Sequence, residues 1–421
     1  MAVRGAMQID CLQPRSRQAD RSATLLSART SIRRAAMMPS YRNLFALPAG
    51  QHYLNCAYLS PLAAPVEAAA IEALVRRRDP TQIRPADFFT DSDRARGLFA
   101  RLINAPDPSR VAIAPSVSYG MATVAKNLAL RAGQNVVTAH AQFPSNVYPW
   151  RRMCAETGAE LCTVQPPAGS PKRGEEWNTR LLEAIGADTA LVALGNVHWA
   201  DGTRFDLERI GARAREVSAL LVVDGTQSVG ALPFDVQRVQ PDALVVASYK
   251  HMLGPYALGC MWLGPRFDNG KPLEETWLGR RGSEDFTTLV EYVDEYQPGA
   301  LRYDMGERSA FVLTQMLIAA LEMIQSWGPD HVQRYCRELM ADAVDEARAL
   351  GYVVEDEAWR GWHMFGLRLP PSVDAGRLQA LLRERGVTVS IRGDAVRVSP
   401  NVYNEADDVE ALMDALRAAI P

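Results

Sequence analysis

The chain has 421 residues, of which 48% are hydrophobic and 23% are charged, a composition typical of a soluble globular protein with a large core. Its formal net charge of -3 excludes a general electrostatic attraction to nucleic acid or to an acidic membrane surface. We therefore expect neither as a partner, and no apolar run reaches transmembrane length.

The six cysteines are scattered, with no CxxC motif and no paired spacing. They are Cys11, Cys56, Cys154, Cys162, Cys260 and Cys336. This distribution favours free thiols over a disulfide framework or a zinc site. The sequence therefore predicts a cytoplasmic protein without a bound metal.

Residues 1–40 differ from the rest, because they carry seven arginines against two aspartates. One explanation is an organelle transit peptide. The other is a disordered extension, or a start codon assigned too early, with Met37 or Met38 as the true start. The absence of a secretory apolar core favours the second explanation, so we expect a disordered extension.

From residue 41 the pattern becomes regular. The stretch HYLNCAYLSPL (52–62) predicts a short extended segment that ends at Pro61, followed by a helix to about Arg78. A second helix is predicted from near Asp91, since acidic residues suit a helix N-terminus. A strand follows over residues 110–116.

The polar stretch SVSYG after this strand precedes a periodic helix, GMATVAKNLAL. Backbone N–H groups at a helix N-terminus are unpaired, and the helix dipole favours negative charge there. We therefore expect an anion, such as a cofactor phosphate, at Val117, Ser118 and Tyr119. The alternative is that the serine is only a helix cap.

Strands and helices then alternate, which predicts an α/β fold with a parallel sheet. The strands span 135–140, 160–164 and 189–194, and the helices span 147–157 and 177–185. Asn196 and His198 follow the third of these strands.

Two continuous apolar runs, 220–223 and 243–247, suit the interior of a parallel sheet that is covered on both faces. Ligands in such sheets bind beyond the carboxyl ends of the strands. Asp224 and Lys250 would meet there, and an acid and a lysine in this arrangement suit pyridoxal phosphate. A structural ion pair is the alternative. The residues expected to face this crevice are Asp224, Gln227, Ser248, Tyr249 and Lys250.

After Lys250 the pattern predicts an antiparallel strand that closes the large sheet. Amphipathic helices at 308–326 and 330–349 lead into a smaller α+β region. Its predicted strands lie in 352–356, 364–369, 387–392 and 395–400, and its helices span 375–385 and 405–418.

The motifs DGTQ (224–227) and SYK (248–250) resemble those of the class V aminotransferase family of fold-type I pyridoxal-phosphate enzymes, in the branch of kynureninase and isopenicillin N epimerase rather than of cysteine desulfurase. The resemblance implies a mostly parallel seven-stranded sheet flanked by helices and a smaller α+β C-terminal domain. It places the large cofactor-binding domain at 41–307, with its N-terminal segment packed on the small domain. The linking helix and small domain would occupy 308–421. It also implies a homodimer with the active site at the interface.

The resemblance also implies how the cofactor is held. Lys250 would form a Schiff base with it, and Asp224 would keep its pyridine nitrogen protonated. Gln227 would donate to the phenolic oxygen, near which Asn196 would also lie. The remaining expected cofactor contacts are Val117, Ser118, Tyr119 and Tyr249 at the phosphate, Phe143 stacked on the ring, and Trp277 from a loop of the same or the partner subunit. A purely structural role in the core is the alternative for Phe143.

Three residues are expected near the substrate on the same basis. Asn55, in the YLN phrase, would lie beside it, or would simply be a turn asparagine. His198 would border the pocket, or would be a half-buried histidine with satisfied partners. Arg397 would bind the substrate carboxylate through its planar fork of donors, with Arg392 as the nearby competitor and a surface position as the alternative.

These residues predict an enzyme that acts on a small amino-acid substrate through Lys250, with transamination as the first choice. No cysteine follows Cys336, which argues against desulfuration. A kynureninase-like carbon–carbon lyase or an epimerase is the alternative. A non-catalytic pyridoxal-phosphate-binding partner protein is an alternative of another class.

Overall fold

The computed structural model describes residues 39–421, and Ser40–Pro421 form one compact unit. The strands in this range are β1 (His52–Tyr53), β2 (Val111–Ala114), β3 (Asn135–Ala139), β4 (Glu160–Val164), β5 (Thr189–Gly195), β6 (Leu220–Asp224), β7 (Ala243–Ala247), β8 (Gly259–Leu263), β9 (Val353–Val354), β10 (Phe365–Arg368), β11 (Val387–Thr388), β12 (Ser390–Arg392) and β13 (Ala395–Val398). The α-helices are α1 (Ala64–Arg76), α2 (Thr90–Leu102), α3 (Val117–Lys126), α4 (Tyr148–Thr157), α5 (Arg173–Ala184), α6 (Leu207–Glu216), α7 (Val236–Val239), α8 (Leu313–Trp327), α9 (Pro329–Ala349), α10 (Ala375–Glu384) and α11 (Ala406–Ala419).

The central feature is a seven-stranded sheet in the order β2-β8-β7-β6-β5-β3-β4. Strand β8 runs antiparallel to both of its neighbours, β7 and β2, and the other pairs are parallel. The predicted mostly parallel sheet of seven strands is therefore confirmed. One detail differs: β8 does not close the sheet, because β2 pairs with its outer side and forms the edge.

Helices cover both faces of this sheet. Strands β5, β6 and β7 are buried along their whole length, so alternate residues serve opposite layers. Val223 packs in the layer that contains Leu317 of α8, whereas Val222 packs in the layer that contains Met121 of α3. This double covering explains why the strands appear in the sequence as continuous apolar runs.

The smaller region contains a four-stranded antiparallel sheet in the order β12-β13-β10-β9, with α9, α10 and α11 close by in the chain. Residues 387–392, predicted as one strand, are instead two. Val387 of β11 pairs in parallel with His52 of β1, whereas Ser390 of β12 pairs with Arg397 of β13. The segment therefore changes partner within three residues, which an alternating sequence pattern does not reveal.

The predicted α+β character of the C-terminal part is confirmed, and the domain bounds at 307 and 308 stay a prediction. The expected extension at 1–40 lies outside the described residues except for its last two. Within residues 39–421, every helix is too short or too polar to cross a lipid bilayer.

Candidate active site

The site is built on the adjacent ends of β6 and β7. Asp224 is the last residue of β6 and pairs with Val245 of the parallel strand β7. Lys250 follows three residues after β7 ends. Both side chains are buried, and one Asp224 carboxylate oxygen accepts a 3.0 Å hydrogen bond from the Thr226 amide. The two predicted residues therefore meet at the carboxyl edge of the sheet.

Burial shifts the pKa of Asp224 and of Lys250 toward the uncharged form. It raises the pKa of Asp224 and lowers the pKa of Lys250 to about 8, although attraction to Asp224 opposes the second shift. Lys250 Nζ forms no hydrogen bond and no ion pair with residues 39–421. A sizeable fraction of this amine is therefore neutral, and hence nucleophilic, near physiological pH.

Two aromatic rings lie beside the Lys250 amine. Nζ lies 5.3 Å from the centre of the Phe143 ring and 5.5 Å from that of Tyr249. The Phe143 ring also meets the Trp199 ring edge to face at 5.5 Å, and Trp199 Nε1 donates to the Ala141 carbonyl oxygen. A flat aromatic surface thus lies beside the lysine, as a stacked planar ligand would require.

The expected anion site is the first turn of α3. The sequence predicted the helix from Gly120, but it begins at Val117, because the Ser116 side chain caps it by accepting from the Tyr119 amide at 3.1 Å. The Val117 and Ser118 amides form no hydrogen bond within the described chain, as is usual for a first helical turn. These two donors are available to an anion, whereas the Tyr119 amide is already used.

Gly120 brings this turn close to the sheet. A Cβ atom built on Gly120 would lie 2.6 Å from Cγ1 of Val245 in β7, so only glycine allows this approach. The turn therefore sits directly over the strand that leads to Lys250. The Tyr119 hydroxyl is buried without a hydrogen-bond partner in the described residues.

Gln227 is held from two sides. Its Nε2 donates to the Ala57 carbonyl oxygen at 3.1 Å, and its Oε1 accepts from His251 Nε2 at 3.2 Å. His363 Nε2 donates to the Gln227 carbonyl oxygen at 2.8 Å, and the rings of His251 and His363 meet edge to face at 4.8 Å. The predicted donation from Gln227 to a phenolic oxygen stays a prediction.

The sequence did not single out these two histidines. Burial lowers the pKa of His251, and it lowers the pKa of His363 to about 4. Both rings are therefore neutral at physiological pH. His251 holds the Gln227 side chain, and His363 holds the Gln227 backbone carbonyl group. The position of His251 directly after Lys250 was the available signal for one of them.

Asn196 and Asn55 approach the site from different strands. Asn196 follows Gly195, which pairs with Asp224, and its side chain is buried. Asn55 Oδ1 accepts from the Ser390 hydroxyl at 3.0 Å, and Asn55 bridges to Ser399. Asn55 thus joins the N-terminal segment to the small sheet, and contact of either asparagine with a ligand stays a prediction.

Arg397 is buried, with only 1% of its surface exposed. It donates to the Trp199 carbonyl oxygen at 2.5 Å and to the Ser390 hydroxyl at 3.3 Å, while its Nε has no partner in the described residues. Burial and the neighbouring Arg392 lower the pKa of Arg397 to about 10. A buried cation without an acidic partner is costly, so Arg397 is well suited to receive a carboxylate.

His198 has both ring nitrogens engaged. Nδ1 lies 3.1 Å from a carboxylate oxygen of Asp201, and Nε2 lies 3.0 Å from the His140 carbonyl oxygen. Arg173 and Arg368 also bind the Asp201 carboxylate, at 2.9 Å and 2.7 Å. This arrangement favours the alternative of a satisfied histidine over a role at the substrate.

Trp277 lies in an aromatic cluster with Phe88, Phe89 and Phe286, with ring centres 5.3 to 6.1 Å apart. Its side chain is 37% exposed. No ring contact or hydrogen bond in the described residues connects it to Lys250. Within one subunit, the structure therefore does not bring Trp277 to the other predicted residues.

The residues that do come together fit the predicted cofactor. Buried charges are normally paired, yet Asp224 and Lys250 attract each other without forming a hydrogen bond or an ion pair in the described residues. Pyridoxal phosphate offers an aldehyde for the amine and a ring nitrogen for the carboxylate. Its phosphate suits the free amides of Val117 and Ser118.

A family model described as "Aminotransferase class-V" matches residues 76–412. The chain is 27% identical over 325 residues to an uncharacterized aminotransferase, YcbU, of Bacillus subtilis, with 77% of this chain and 82% of that protein covered. It is 25% identical over 372 residues to isopenicillin N epimerase of Streptomyces clavuligerus, with 84% of this chain and 92% of that protein covered. Cysteine desulfurases are among the further relatives.

A solved structure of a mutant of the protein C-DES, with glycine covalently linked to its pyridoxal-phosphate cofactor, superposes with a TM-score of 0.76 at 19% identity. The superposition covers 89% of this chain and 98% of that one. This likeness confirms the fold. The family model spans most of the chain. The chain therefore belongs to the class V aminotransferase family, as the DGTQ and SYK motifs predicted.

Proposed function

We propose that this protein is a pyridoxal-phosphate enzyme that transfers the amino group of an amino acid. The observation that carries the proposal is the pair of Asp224 and Lys250 at adjacent parallel strand ends, in a chain that matches the class V aminotransferase model. The cofactor is pyridoxal phosphate. When bound, it supplies an electron-accepting ring that stabilises negative charge at the substrate Cα.

Each buried group then has a defined task. Lys250 would carry the cofactor through a covalent link, which its lowered pKa of about 8 makes accessible near neutral pH. Asp224 would stabilise the positive charge of a protonated ring nitrogen, because a buried carboxylate favours an adjacent cation. Phe143 would lie against the ring, and the amides of Val117 and Ser118 would bind the phosphate.

The Lys250 amine is also suited to move a proton at the substrate Cα. A general base works best when its pKa lies near the working pH, and burial brings Lys250 into that range. Arg397 orients the substrate by binding its carboxylate, which would satisfy the unpartnered Nε. These two residues together would fix which Cα bond faces the amine.

The five cysteines within residues 39–421 argue against desulfuration. Cys56, the cysteine whose Sγ lies 3.8 Å from the Lys250 carbonyl oxygen, is buried, and burial raises its pKa to about 12. Cys154, Cys260 and Cys336 are buried too, and Cys162 is partly buried. A nucleophilic thiolate needs a low pKa and access, which Cys56 lacks.

Epimerisation is the second candidate, because the chain aligns over 84% of its length with an isopenicillin N epimerase. It would use the same cofactor contacts as transamination. The difference lies in the outcome of proton transfer, since epimerisation returns a proton to Cα and leaves the amino group on the substrate.

We further propose a cytoplasmic homodimer with the site at its interface. Large apolar side chains are exposed along α1 and the segment before it. Monomeric proteins rarely leave large apolar patches of this kind uncovered. The side chains are Tyr58, Leu59, Leu62, Ile71, Leu74 and Val75. A partner would also explain why Trp277 is 37% exposed, because a second subunit would cover and use this side chain.

A screen of single amino acids, followed by the absorption spectrum of the cofactor, tests the proposed reaction. Transamination predicts that at least one amino acid converts the bound cofactor to pyridoxamine phosphate and releases a keto acid. Loss of optical activity without a keto acid would show epimerisation, and cleavage of the carbon skeleton would show a lyase. No spectral change with any amino acid would favour a non-catalytic binding protein.

A further inference from the structure

The hairpin formed by β12 and β13 turns one face toward the site. Ser390 lies directly opposite Arg397, and Arg392 lies opposite Ala395. Since directly opposed residues share a face and side chains alternate along a strand, Arg392 and Arg397 are on the same face of the hairpin. The alternate residue Val396 faces the other way and is fully buried.

Both arginines on this face contact Trp199. Arg397 donates to the Trp199 carbonyl oxygen, and the Arg392 guanidinium lies 5.7 Å from the centre of the Trp199 ring. Trp199 in turn packs against Phe143, whose ring lies beside Lys250 Nζ. A continuous series of contacts thus connects the two guanidinium groups with the lysine.

The electrostatics agree with this proximity. Burial is the main cause of the lowered pKa of Lys250, and Arg397 and Arg392 lower it further. Arg392 also contributes to the lowered pKa of Arg397. The two guanidinium groups are therefore close enough to repel each other and the amine.

Neither guanidinium is neutralised by a protein carboxylate. Within residues 39–421, no aspartate or glutamate forms an ion pair with Arg392 or Arg397. Arg392 donates only to the carbonyl oxygen of its neighbour Ile391, at 2.9 Å. The acidic residue of the hairpin turn, Asp394, is directed instead to Arg368, at 4.0 Å.

Arg397 is buried and Arg392 is partly buried, so each cation would be stabilised by an anionic partner, and an amino acid with one carboxylate supplies only one. In the proposed function, the N-terminus of α3 would bind the cofactor phosphate and Asp224 would face the ring nitrogen, so neither charge is left for the arginines. We propose that Arg392 binds a second, side-chain carboxylate, so that the substrate is a dicarboxylic amino acid. This inference rests on the proposed function and names its substrate class.

Simple carboxylates without an amino group test the inference separately from turnover. The holoenzyme is titrated calorimetrically with succinate, glutarate and adipate, and with butyrate, pentanoate and hexanoate as monocarboxylates of equal length. Because a hydrogen-bonded charge pair contributes substantially to binding, at least one dicarboxylate should bind about ten-fold or more tightly than its matched monocarboxylate. Arg392→Gln should abolish that preference and leave monocarboxylate binding unchanged.

Two further variants complete the design. Arg392→Lys keeps the charge but loses the planar fork, so it should keep part of the preference. Arg337→Gln removes a charge from an exposed pair with Glu357 and should leave the preference intact. The cofactor spectrum of the holoenzyme is then followed with glutamate against glutamine and with aspartate against asparagine.

Equal binding of dicarboxylates and monocarboxylates to the unmodified protein would overturn the inference. So would a preference that persists in Arg392→Gln, or a loss of monocarboxylate binding in that variant, which would make Arg392 the site of the first carboxylate. If the preference depends on Arg392 but no amino acid changes the cofactor spectrum, the carboxylate site stands and the proposed transamination fails.

Discussion

Asp224 and Lys250 attract each other across the ends of two neighbouring parallel strands, yet they form no hydrogen bond with each other. Both are buried, and burial shifts each pKa toward the neutral form. Such an arrangement is unfavourable as a mere ion pair, because the charges are desolvated without direct contact. It becomes favourable when a ligand contacts both groups.

Replacement of Asp224 by asparagine tests its electronic role. We expect Asp224→Asn to retain the cofactor on Lys250 but to lower the rate with amino acids by about a hundred-fold or more, because the charge that stabilises the ring nitrogen is lost. The measurement is single-turnover kinetics of the spectral change. Asp242→Asn is the matched control, since Asp242 accepts from the Leu221 amide at 2.8 Å at the opposite end of the same strands. A normal rate in Asp224→Asn would contradict the assignment.

The attachment of the cofactor to the cofactor-free protein should depend on pH through Lys250. Only the neutral amine attacks an aldehyde, and the pKa of Lys250 is lowered from 10.5 to about 8. The attachment rate should therefore rise with pH with a midpoint near 8. Stopped-flow absorbance over a pH series measures it, and Arg397→Met should move the midpoint upward by removing a nearby cation. A midpoint near the ordinary lysine value would show that burial does not control this amine.

Once the cofactor is attached, Arg397 should matter for the substrate. Arg397→Met is expected to lower kcat/KM for amino acids by about a hundred-fold, because a buried bidentate partner of the carboxylate is lost. The cofactor spectrum without substrate should remain unchanged. Arg360→Met is a matched control, because Arg360 is equally buried in the small region and stacks on Trp362 at 3.8 Å. Equal effects of the two variants would reduce the role of Arg397 to packing.

Asp304 is predicted to stabilise the large sheet rather than to act in the site. It accepts from two nitrogens of Arg96 at 2.8 and 2.7 Å and from the Ile113 amide at 2.8 Å, and it pairs with Arg308. Asp304→Asn would remove the buried carboxylate that Arg96 and Arg308 share, and Arg96 would keep only the exposed Asp93, so the free energy of unfolding should fall by about 3–5 kcal/mol. Urea unfolding measures this. Asp268→Asn, which breaks the more exposed pair with Arg110, should cost about 1 kcal/mol or less.

The Asp304 carboxylate should also make the free energy of unfolding depend on pH. Although burial opposes it, attraction to Arg96 and Arg308 lowers the pKa of Asp304. The folded pKa is therefore below the unfolded value, so this contribution is present above about pH 4 and is lost as the pH falls. The difference in stability between the unmodified protein and Asp304→Asn should shrink on acidification. If the two proteins differed in stability by the same amount at pH 7 and at pH 3, the proposed role of the Asp304 charge would be wrong.

The sequence predicted the fold well where burial alone determines the pattern. The runs before Asp224 and Lys250 are apolar on both faces, and they form the central strands β6 and β7. The prediction was incomplete where distant partners decide the structure. Residues 387–392 divide into β11 and β12 because Val387 pairs with His52, which lies more than 300 positions away in the chain.

Side-chain roles were predictable only in part. The motif residues Asp224 and Lys250 come together because strand order fixes their positions. The two bonds of His198 depend on Asp201 and on the carbonyl group of His140, and no local pattern around His198 reveals them. Trp277 lies in a loop whose neighbours in the described chain are Phe88, Phe89 and Phe286, so its predicted contact with the cofactor requires another subunit.

The covalent link between the cofactor and Lys250 is the central claim, and borohydride reduction followed by peptide mass analysis tests it most directly. The purified protein should absorb as a yellow cofactor complex, and after reduction the cofactor mass should be on the peptide that contains Lys250. Lys250→Ala should lose that mass, whereas Lys172→Ala, which alters an exposed lysine paired with Glu175, should retain it. A colourless protein, or cofactor mass on a different lysine of the unmodified protein, would contradict the account.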